Sequence, residues 1–339
     1  MRLLVFSQIA DWDFGPRLKA SGHDIAAWVR PTWEQGPPPA VSTVLTTILS
    51  RPKPIQTRQP RFDTRTWLDH EKIPRIPCPN VNAPQFIEYV KGLNIDLIVA
   101  CIFPQILKTA ILQTPRLGVF NCHPSLLPRY GGPEPGFWML KNGESVAGIT
   151  VHMMTEKIDA GDIVAQQELI IGENENAGEL LQRQHYAAAT LLIEAVNAMA
   201  QGTLTRRPQN IAERSYFGKK KVADTTPDWN GSARQMYNLL RALQPDEPLI
   251  AYLNGHTVKI FDARPQEGSA SWGVPGEILT KQSGKLLVQT GNGNLEIRSY
   301  EIGPYHGWIN RTLQELLLPL GSRFDLAPPA TGPAPKAVP

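Results

Sequence analysis

Asp96-Leu-Ile-Val-Ala-Cys-Ile102 is a near-continuous apolar run. Strands of a parallel sheet read this way, because helices cover both of their faces. Working outward from this run, short apolar stretches alternate with helical ones. On the amino side, Leu3–Phe6 and Asp24–Val29 read as strands. A helix, Phe14–Ser21, lies between them and ends at Gly22, and Pro84–Gly92 reads as a further helix. On the carboxyl side, Val119–His123, Gly148–Met154 and Ile163–Ile171 read as extended. Ala177–Gln201 reads as a long helix, with Leu180, Leu181, Ala188, Leu192, Val196 and Met199 at helical spacing and Gly202 after its end. This alternation predicts an α/β fold with a doubly wound, mostly parallel sheet.

The texture changes near residue 205. Arg206, Arg207, Arg214 and Lys219–Lys221 occur among few apolar residues. Residues 206–228 therefore read as a basic linker after a first domain over 1–205. Beyond it, Ser232–Leu243 reads as a helix. Five short strands follow: Ile250–Leu253, Thr257–Phe261, Gly276–Leu279, Leu286–Thr290 and Leu295–Tyr300. Asn254-Gly255 and Gly291-Asn-Gly-Asn294 are hairpin signals between them. Residues 229–318 are thus expected to form a small OB-like β-barrel. Residues 319–339, rich in Pro and Ala, are expected to be a disordered tail. Pro31–Thr66 interrupts the first domain. It is proline-rich, carries Arg51, Lys53, Arg58, Arg61 and Arg65, and reads as either a functional lid or a mobile loop.

Composition sets outer limits. A chain of 339 residues suggests two domains. With 42% hydrophobic and 19% charged residues it can build a core and is not a disordered chain. The net charge of +3 permits contact with phosphates without demanding it. The 31 prolines are roughly twice the ordinary share. Cys78, Cys101 and Cys122 form no pair-spaced motif, which argues against a disulfide scaffold or zinc site and fits a reducing compartment. No apolar run approaches the ~18 residues of a membrane span. Met1–Phe6 meets Ser7-Gln8 and then Asp11 and Asp13, which reads as a first strand rather than a signal peptide. A cytoplasmic protein with no membrane partner is the expectation.

The first β-α turn, Ser7–Pro16, holds a single glycine, Gly15, which disfavours dinucleotide binding. Chemistry concentrates instead in Val119-Phe-Asn-Cys-His-Pro-Ser-Leu-Leu-Pro-Arg-Tyr-Gly-Gly132. Asn121 and His123, two apart on a strand, share a face, and Phe120 and Cys122 take the other. Strand ends at the carboxyl edge of such sheets are where these folds place ligands. Downstream, Ile158-Asp-Ala-Gly-Asp162 sets a carboxylate in a glycine-containing loop. Asn, His and Asp without a nucleophile can polarise a carbonyl, stabilise an oxyanion and move protons. On its own, Asn-x-His at a strand end also reads as a capped turn with a satisfied histidine. The set requires no metal.

The ordered pieces Asn121-x-His123-x-Ser125-Leu-Leu-Pro128, Gly148-Ile-Thr-Val-His152 and Ile158-Asp-Ala-Gly161 resemble formyltransferases that use 10-formyltetrahydrofolate. Ser215-Tyr-Phe-Gly-Lys-Lys220 and Asp228-Trp-Asn230 extend the resemblance into the second domain, as in methionyl-tRNA and sugar-nucleotide formyltransferases. The resemblance implies a catalytic trio of Asn121, His123 and Asp159. It also implies a folate pocket lined, largely through backbone, by Ile102-Phe103-Pro104-Gln105-Ile106-Leu107 and by Thr155-Glu156-Lys157-Ile158 with Gly161. Asp162 reads as a loop cap.

The acceptor is less clearly written. Tyr130-Gly-Gly-Pro-Glu-Pro-Gly-Phe-Trp138 places Gly131 where the tRNA-acting branch usually has arginine, and adds Glu134. Asn142-Gly-Glu144 and Ala160–Gln166 look more like enzymes that formylate amino sugars, or amines in peptide and siderophore pathways. A small-molecule or carrier-bound primary amine is the leading expectation. Methionyl-tRNA, with the basic residues contacting phosphate, and water, giving a hydrolase, are the alternatives. Those basic residues read equally as a solvated face. Tyr130, Phe137 and Trp138 read either as a wall of the acceptor pocket or as packing residues.

Overall fold

The computed structural model describes residues 1–8, 13–32, 62–266, 268, 273–303 and 318–325. The basic residues Arg51, Lys53, Arg58 and Arg61 of the Pro31–Thr66 insertion lie outside them. The described chain separates into two compact units.

The first unit comprises Met1–Pro135, Val146–Ile170 and Leu181–Phe217. Its sheet has seven strands: β1 (Arg2–Ser7), β2 (Asp24–Pro31), β3 (Arg75–Cys78), β4 (Leu97–Cys101), β5 (Val119–His123), β6 (Val146–Met153) and β7 (Ile163–Ile170). Their order is β3-β2-β1-β4-β5-β6-β7. The first five in that order run parallel, and β6 pairs antiparallel with both of its neighbours. All five residues of β4 are buried, as expected of a strand covered on both faces.

Alternate residues feed two cores. Leu3, Val5, Leu97, Val99, Phe120, Cys122, Ile149 and Val151 meet Phe14, Leu18, Ala188, Leu192 and Val196 on one face. Leu4, Phe6, Ile98, Ala100 and Val119 meet Ile87 and Val90 of the helix Pro84–Gly92 on the other. Asn121 and His123 continue the second face along β5. The helix Thr64–His70 and strand β3 were not anticipated from the sequence. Pro77 inside the four-residue β3 masks it, and proline is tolerated there because β3 is an edge strand.

Residues 207–217 are not a free linker. Arg207 exchanges two backbone hydrogen bonds of 2.8 Å with Ile163, and Ser215 and Phe217 pair with the loop after β5. This stretch belongs to the first unit, while Gly136–Ser145 and Ile171–Leu180, expected within residues 1–205, belong to the second.

In the second unit the helix Ala233–Leu243 opens on a capping box between Ser232 and Gln235. Five strands follow: β8 (Leu249–Leu253), β9 (His256–Gln266), β10 (Ile278–Gln282), β11 (Lys285–Gln289) and β12 (Asn294–Ile302). They form an antiparallel sheet in the order β10-β11-β12-β9-β8. Asn254 and Gly255 turn β8 into β9 with φ of 50° and 77°, the geometry an Asn-Gly turn supplies. Arg323 bridges to Glu277 and Phe324 to Leu253, so one short segment touches both margins of the sheet.

That segment corrects the expectation of a disordered tail over 319–339. Leu318 and Phe324 are fully buried, and Phe324 stacks on the Trp229 ring at 4.7 Å. Pro319 and Gly321 dilute the apolar signal of this stretch, and the packing is recovered only in three dimensions. Residues 326–339 lie outside the described residues. Phe324→Ala should destabilise the second unit by ~3–5 kcal/mol, the range for emptying a buried phenylalanine site. A denaturant unfolding midpoint unchanged by the substitution would contradict this packing. Among the described residues, no helix is long and apolar enough to cross a membrane.

Candidate active site

Antiparallel register sets Asn121 of β5 opposite His152 of β6, and His123 opposite Thr150. All four side chains leave the sheet on the face not taken by Phe120 and Cys122. Cys122 packs into the opposite core next to Cys101, and that contact, then burial, pushes its thiol well above the ordinary range. It is therefore a protonated core residue and not a nucleophile.

The Asn121 amide Nδ2 donates to His152 Nε2 at 3.1 Å, and His152 Nδ1 donates to the Met153 carbonyl at 2.9 Å. A carbonyl only accepts, so Nδ1 carries the proton and Nε2 accepts from the amide. Burial, followed by the neighbouring His123, holds His152 down to about 4. The imidazole is neutral and fixes the Asn121 amide with its second N–H uncommitted to this pair. His123 Nε2 donates to the Tyr130 carbonyl at 2.9 Å, which turns Nδ1 toward Asp159. Asp159 Oδ1 is 3.8 Å from both His123 Nδ1 and His152 Nε2. At that separation neither is a hydrogen bond, and with His152 neutral only His123 can form an ion pair with the carboxylate. Asp159 Oδ2 accepts the Gly132 N–H at 2.9 Å. The carboxylate is only 11% exposed.

Two loops complete the arrangement. The loop after β5 is laid over the sheet by Thr150, whose hydroxyl donates to Ser125 O at 2.7 Å and accepts from Leu127 N–H at 3.0 Å. Gln166 donates to Leu127 O at 2.7 Å. Gly132 sits at φ +110°, and a Cβ there would meet Phe217 O at 1.9 Å, so only glycine brings its N–H to Asp159. The second loop, after β6, carries Asp159 at φ +51°. It closes on Gly161, whose missing Cβ would fall 1.8 Å from Met153 O.

The structure thus brings Asn121, His123 and Asp159 together. Ile102-Phe103-Pro104-Gln105-Ile106-Leu107 follows β4, whose Cys101 pairs with Cys122 beside His123. Three of its side chains are occupied with packing. Phe103 meets Phe6 at 4.9 Å, Leu107 is buried, and Gln105 donates to Cys78 O and accepts from Val81 N–H. Ile106 is exposed. Thr155-Glu156-Lys157-Ile158 is exposed, with the Thr155 hydroxyl donating to Lys157 O at 3.1 Å. Gly161, by contrast, is buried. Asp162 contributes its carbonyl to the Met153 N–H at 2.8 Å. Tyr130 stacks on Phe217 at 5.1 Å, whereas Phe137 and Trp138 fall in the second unit, with Phe137 buried.

The sequence reading gave His152 no role, although Thr150-x-His152 shows the same two-residue period as Asn121-x-His123. Its placement depends on the β5–β6 register, which no local pattern reveals. Gln209 carries no local sequence signal either. Its amide donates to the carbonyls of Asp159 at 3.0 Å and Gly161 at 2.7 Å.

His152 also ties stability to pH. Its ordinary value is 6.5 and its folded value about 4. Between the two, the unfolded chain binds the proton and the folded one does not, so stability falls as pH drops from 6.5 toward 4. The loss amounts to at most about 3 kcal/mol. His152→Gln, which keeps a polar partner for Asn121, should flatten this slope, read as the difference in urea midpoint between neutral and mildly acidic pH. An equally steep slope in the variant would contradict the assignment.

Comparisons with known proteins bear on the family and the fold. A formyl transferase family model matches residues 63–196, and the formyl transferase C-terminal domain model matches residues 220–304. The methionyl-tRNA formyltransferase of Syntrophus aciditrophicus is 38% identical over 233 residues, covering 68% of this chain and 74% of that protein. That of Citrifermentans bemidjiense is 35% identical over 230 residues, covering 68% and 71%. Among solved structures, the sugar 3N-formyl transferase WlaRD, crystallised with dTDP and 5-N-formyl-THF, superposes with a TM-score of 0.60 at 14% identity over 88% of this chain and 96% of that one. The N-formyltransferase of Helicobacter canadensis, in complex with folinic acid and dTDP-3-aminofucose, does so at 0.59 and 15% identity over 88% and 98%. The two structures share the fold, and the two family models match residues in both units. The chain therefore belongs to the formyl transferase family and is a formyl-transferring enzyme.

Proposed function

We propose that this enzyme moves the formyl group of 10-formyltetrahydrofolate to a primary amine, with Asn121, His123 and Asp159 as the catalytic groups. The observation that carries the reading is their convergence: an amide aligned by a neutral His152, an imidazole whose Nδ1 faces inward, and a largely shielded carboxylate 3.8 Å away. Attack of the neutral amine on the formyl carbon gives a tetrahedral intermediate with charge on oxygen. The second N–H of Asn121 and the Nδ1–H of a protonated His123 donate to that oxygen. Asp159 takes a proton from the incoming nitrogen, directly or through water. Asp159 returns that proton to the folate nitrogen, directly or through water, the old C–N bond breaks as the oxyanion collapses to the new amide, and tetrahydrofolate leaves. The segments after β4 and β6 flank this point and are the proposed folate wall, the first acting mainly through backbone.

The acceptor we propose is the amine of a small or carrier-bound molecule. A Cβ at Gly131 would lie 3.4 Å from the Tyr216 ring and 3.6 Å from Asp159 Cβ. A side chain therefore fits there at ordinary contact distance, and this chain places no cation at that position. Methionyl-tRNA is the second reading, favoured by relatives at 34–38% identity that carry that name. The test offers amino sugars, ornithine-type amines and charged initiator tRNA with 10-formyltetrahydrofolate, and reads the mass gain of one formyl group. Formylation of a small amine alone supports the first reading. Formylation of tRNA, with binding that weakens steeply as salt rises, would replace it with the second. Consumption of the folate with no formylated product would indicate water as the acceptor.

A further inference from the structure

We infer that Gln209 is the positioning residue for Asp159, and that the strap Arg207–Phe217 ties the two site loops together. This rests on the formyl-transfer reading above. The loops that hold His123 and Asp159 are both non-repetitive. Each contains a non-glycine residue in left-handed backbone: Tyr130 at φ +58° and Asp159 at φ +51°. Such residues persist only where their surroundings over-determine them. The strap supplies those surroundings for both loops.

On the Asp159 loop, Arg207 pairs with Ile163. The two N–H groups of the Gln209 amide reach the carbonyls of Asp159 and Gly161, and Arg214 Nη2 donates to Ile158 O at 2.8 Å. Three carbonyls around the carboxylate are thus held from one side. On the loop after β5, Ser215 N–H donates to Pro128 O at 3.2 Å. Ser215 Oγ accepts from Tyr130 N–H at 2.9 Å, and its carbonyl accepts from Gly131 N–H at 3.0 Å. Phe217 N–H donates to Gly131 O at 2.9 Å. Tyr130 O in turn orients His123, and Gly132 N–H holds Asp159. The His123–Asp159 separation is therefore set by one short segment bonded to both loops.

Gln209 stands out within it. Its amide oxygen is buried and finds no partner among the described residues. Its binding is thus one-sided: both donors are committed to the loop, and nothing on the acceptor side compensates. Gln209→Glu keeps the size, removes the donors and sets a charge against two carbonyls. Gln209→Met keeps the length and removes all polarity. Neither side chain touches the reacting atoms, so the effect passes through Asp159.

The test measures kcat and KM for both substrates in the wild type, Gln209→Glu, Gln209→Met, Arg214→Lys and Arg214→Met, each also as the double variant with Asp159→Asn. Both Gln209 variants should lower kcat by about 10- to 100-fold, the loss expected when a catalytic group is misplaced, with little change in KM. Arg214→Lys, which keeps a donor, should rescue what Arg214→Met loses. In the Asp159→Asn background, the Gln209 variants should cause no further loss. A normal kcat, or losses that multiply in the double variants, would overturn the inference. One readout does not depend on turnover. The Gly132 amide proton, bonded to Asp159, should shift in the NMR spectrum of Gln209→Met, while amides of the β8–β12 sheet stay in place. An unmoved Gly132 resonance overturns the strap even if no amine is formylated. Absence of formyl transfer in the wild type, with Gly132 shifted, overturns only the functional reading.

Discussion

Asp159→Asn should lower formyl transfer by ~10³-fold or more with the fold intact. A positioned general acid–base group contributes ~10²–10⁴-fold. Here the same carboxylate also supplies the negative charge facing His123 Nδ1 and His152 Nε2 at 3.8 Å. Asparagine has nearly the same shape, and its oxygen can still accept the Gly132 N–H. The loop, held by Gln209 and Arg214, has no reason to move. The loss should therefore fall on kcat, and the melting temperature should stay within a few degrees of wild type. Near-normal turnover in this variant would remove Asp159 from the mechanism.

Asn121→Ala should cost ~10²–10³-fold in kcat, the usual penalty for losing one oxyanion donor. It should also leave His152 Nε2 buried without its amide partner. Asn121→Asp tests the donor directly. A carboxylate keeps the shape but only accepts, so it can donate neither to His152 Nε2 nor to the developing oxyanion, which it repels. Asn121→Asp should thus be at least as inactive as Asn121→Ala. If Asn121→Asp instead kept most of its activity, no hydrogen-bond donor at position 121 would be needed for the transfer. Steady-state kinetics on both variants, with thermal melts as the control, decide between the two.

Much of this was legible in the residues, for identifiable reasons. The run Leu97–Cys101 is apolar throughout because both faces of β4 are covered, and it places the sheet. Asn121 and His123 share a face because strands alternate, a local rule needing no tertiary knowledge. Asp159 came from the resemblance of the three motif pieces to formyltransferases, since nothing in its own neighbourhood marks it over Asp162. What stayed hidden was set by distant pairing. His152 reaches Asn121 only through the antiparallel β5–β6 register. Gln209 lies in a polar stretch that reads as linker, and its role exists only where that stretch lies against the Asp159 loop. Phe324 looks like part of a proline-rich tail until Trp229 stacks on it.

The central claim is that Asn121, His123 and Asp159 pass a formyl group from folate to an amine. The most direct measurement is tetrahydrofolate release from 10-formyltetrahydrofolate, followed with and without an amine acceptor, in the wild type and in a variant with all three residues changed to alanine. The account predicts amine-dependent release in the wild type and none above background in the variant. Release that proceeds equally without any amine, or that survives loss of all three side chains, would contradict it.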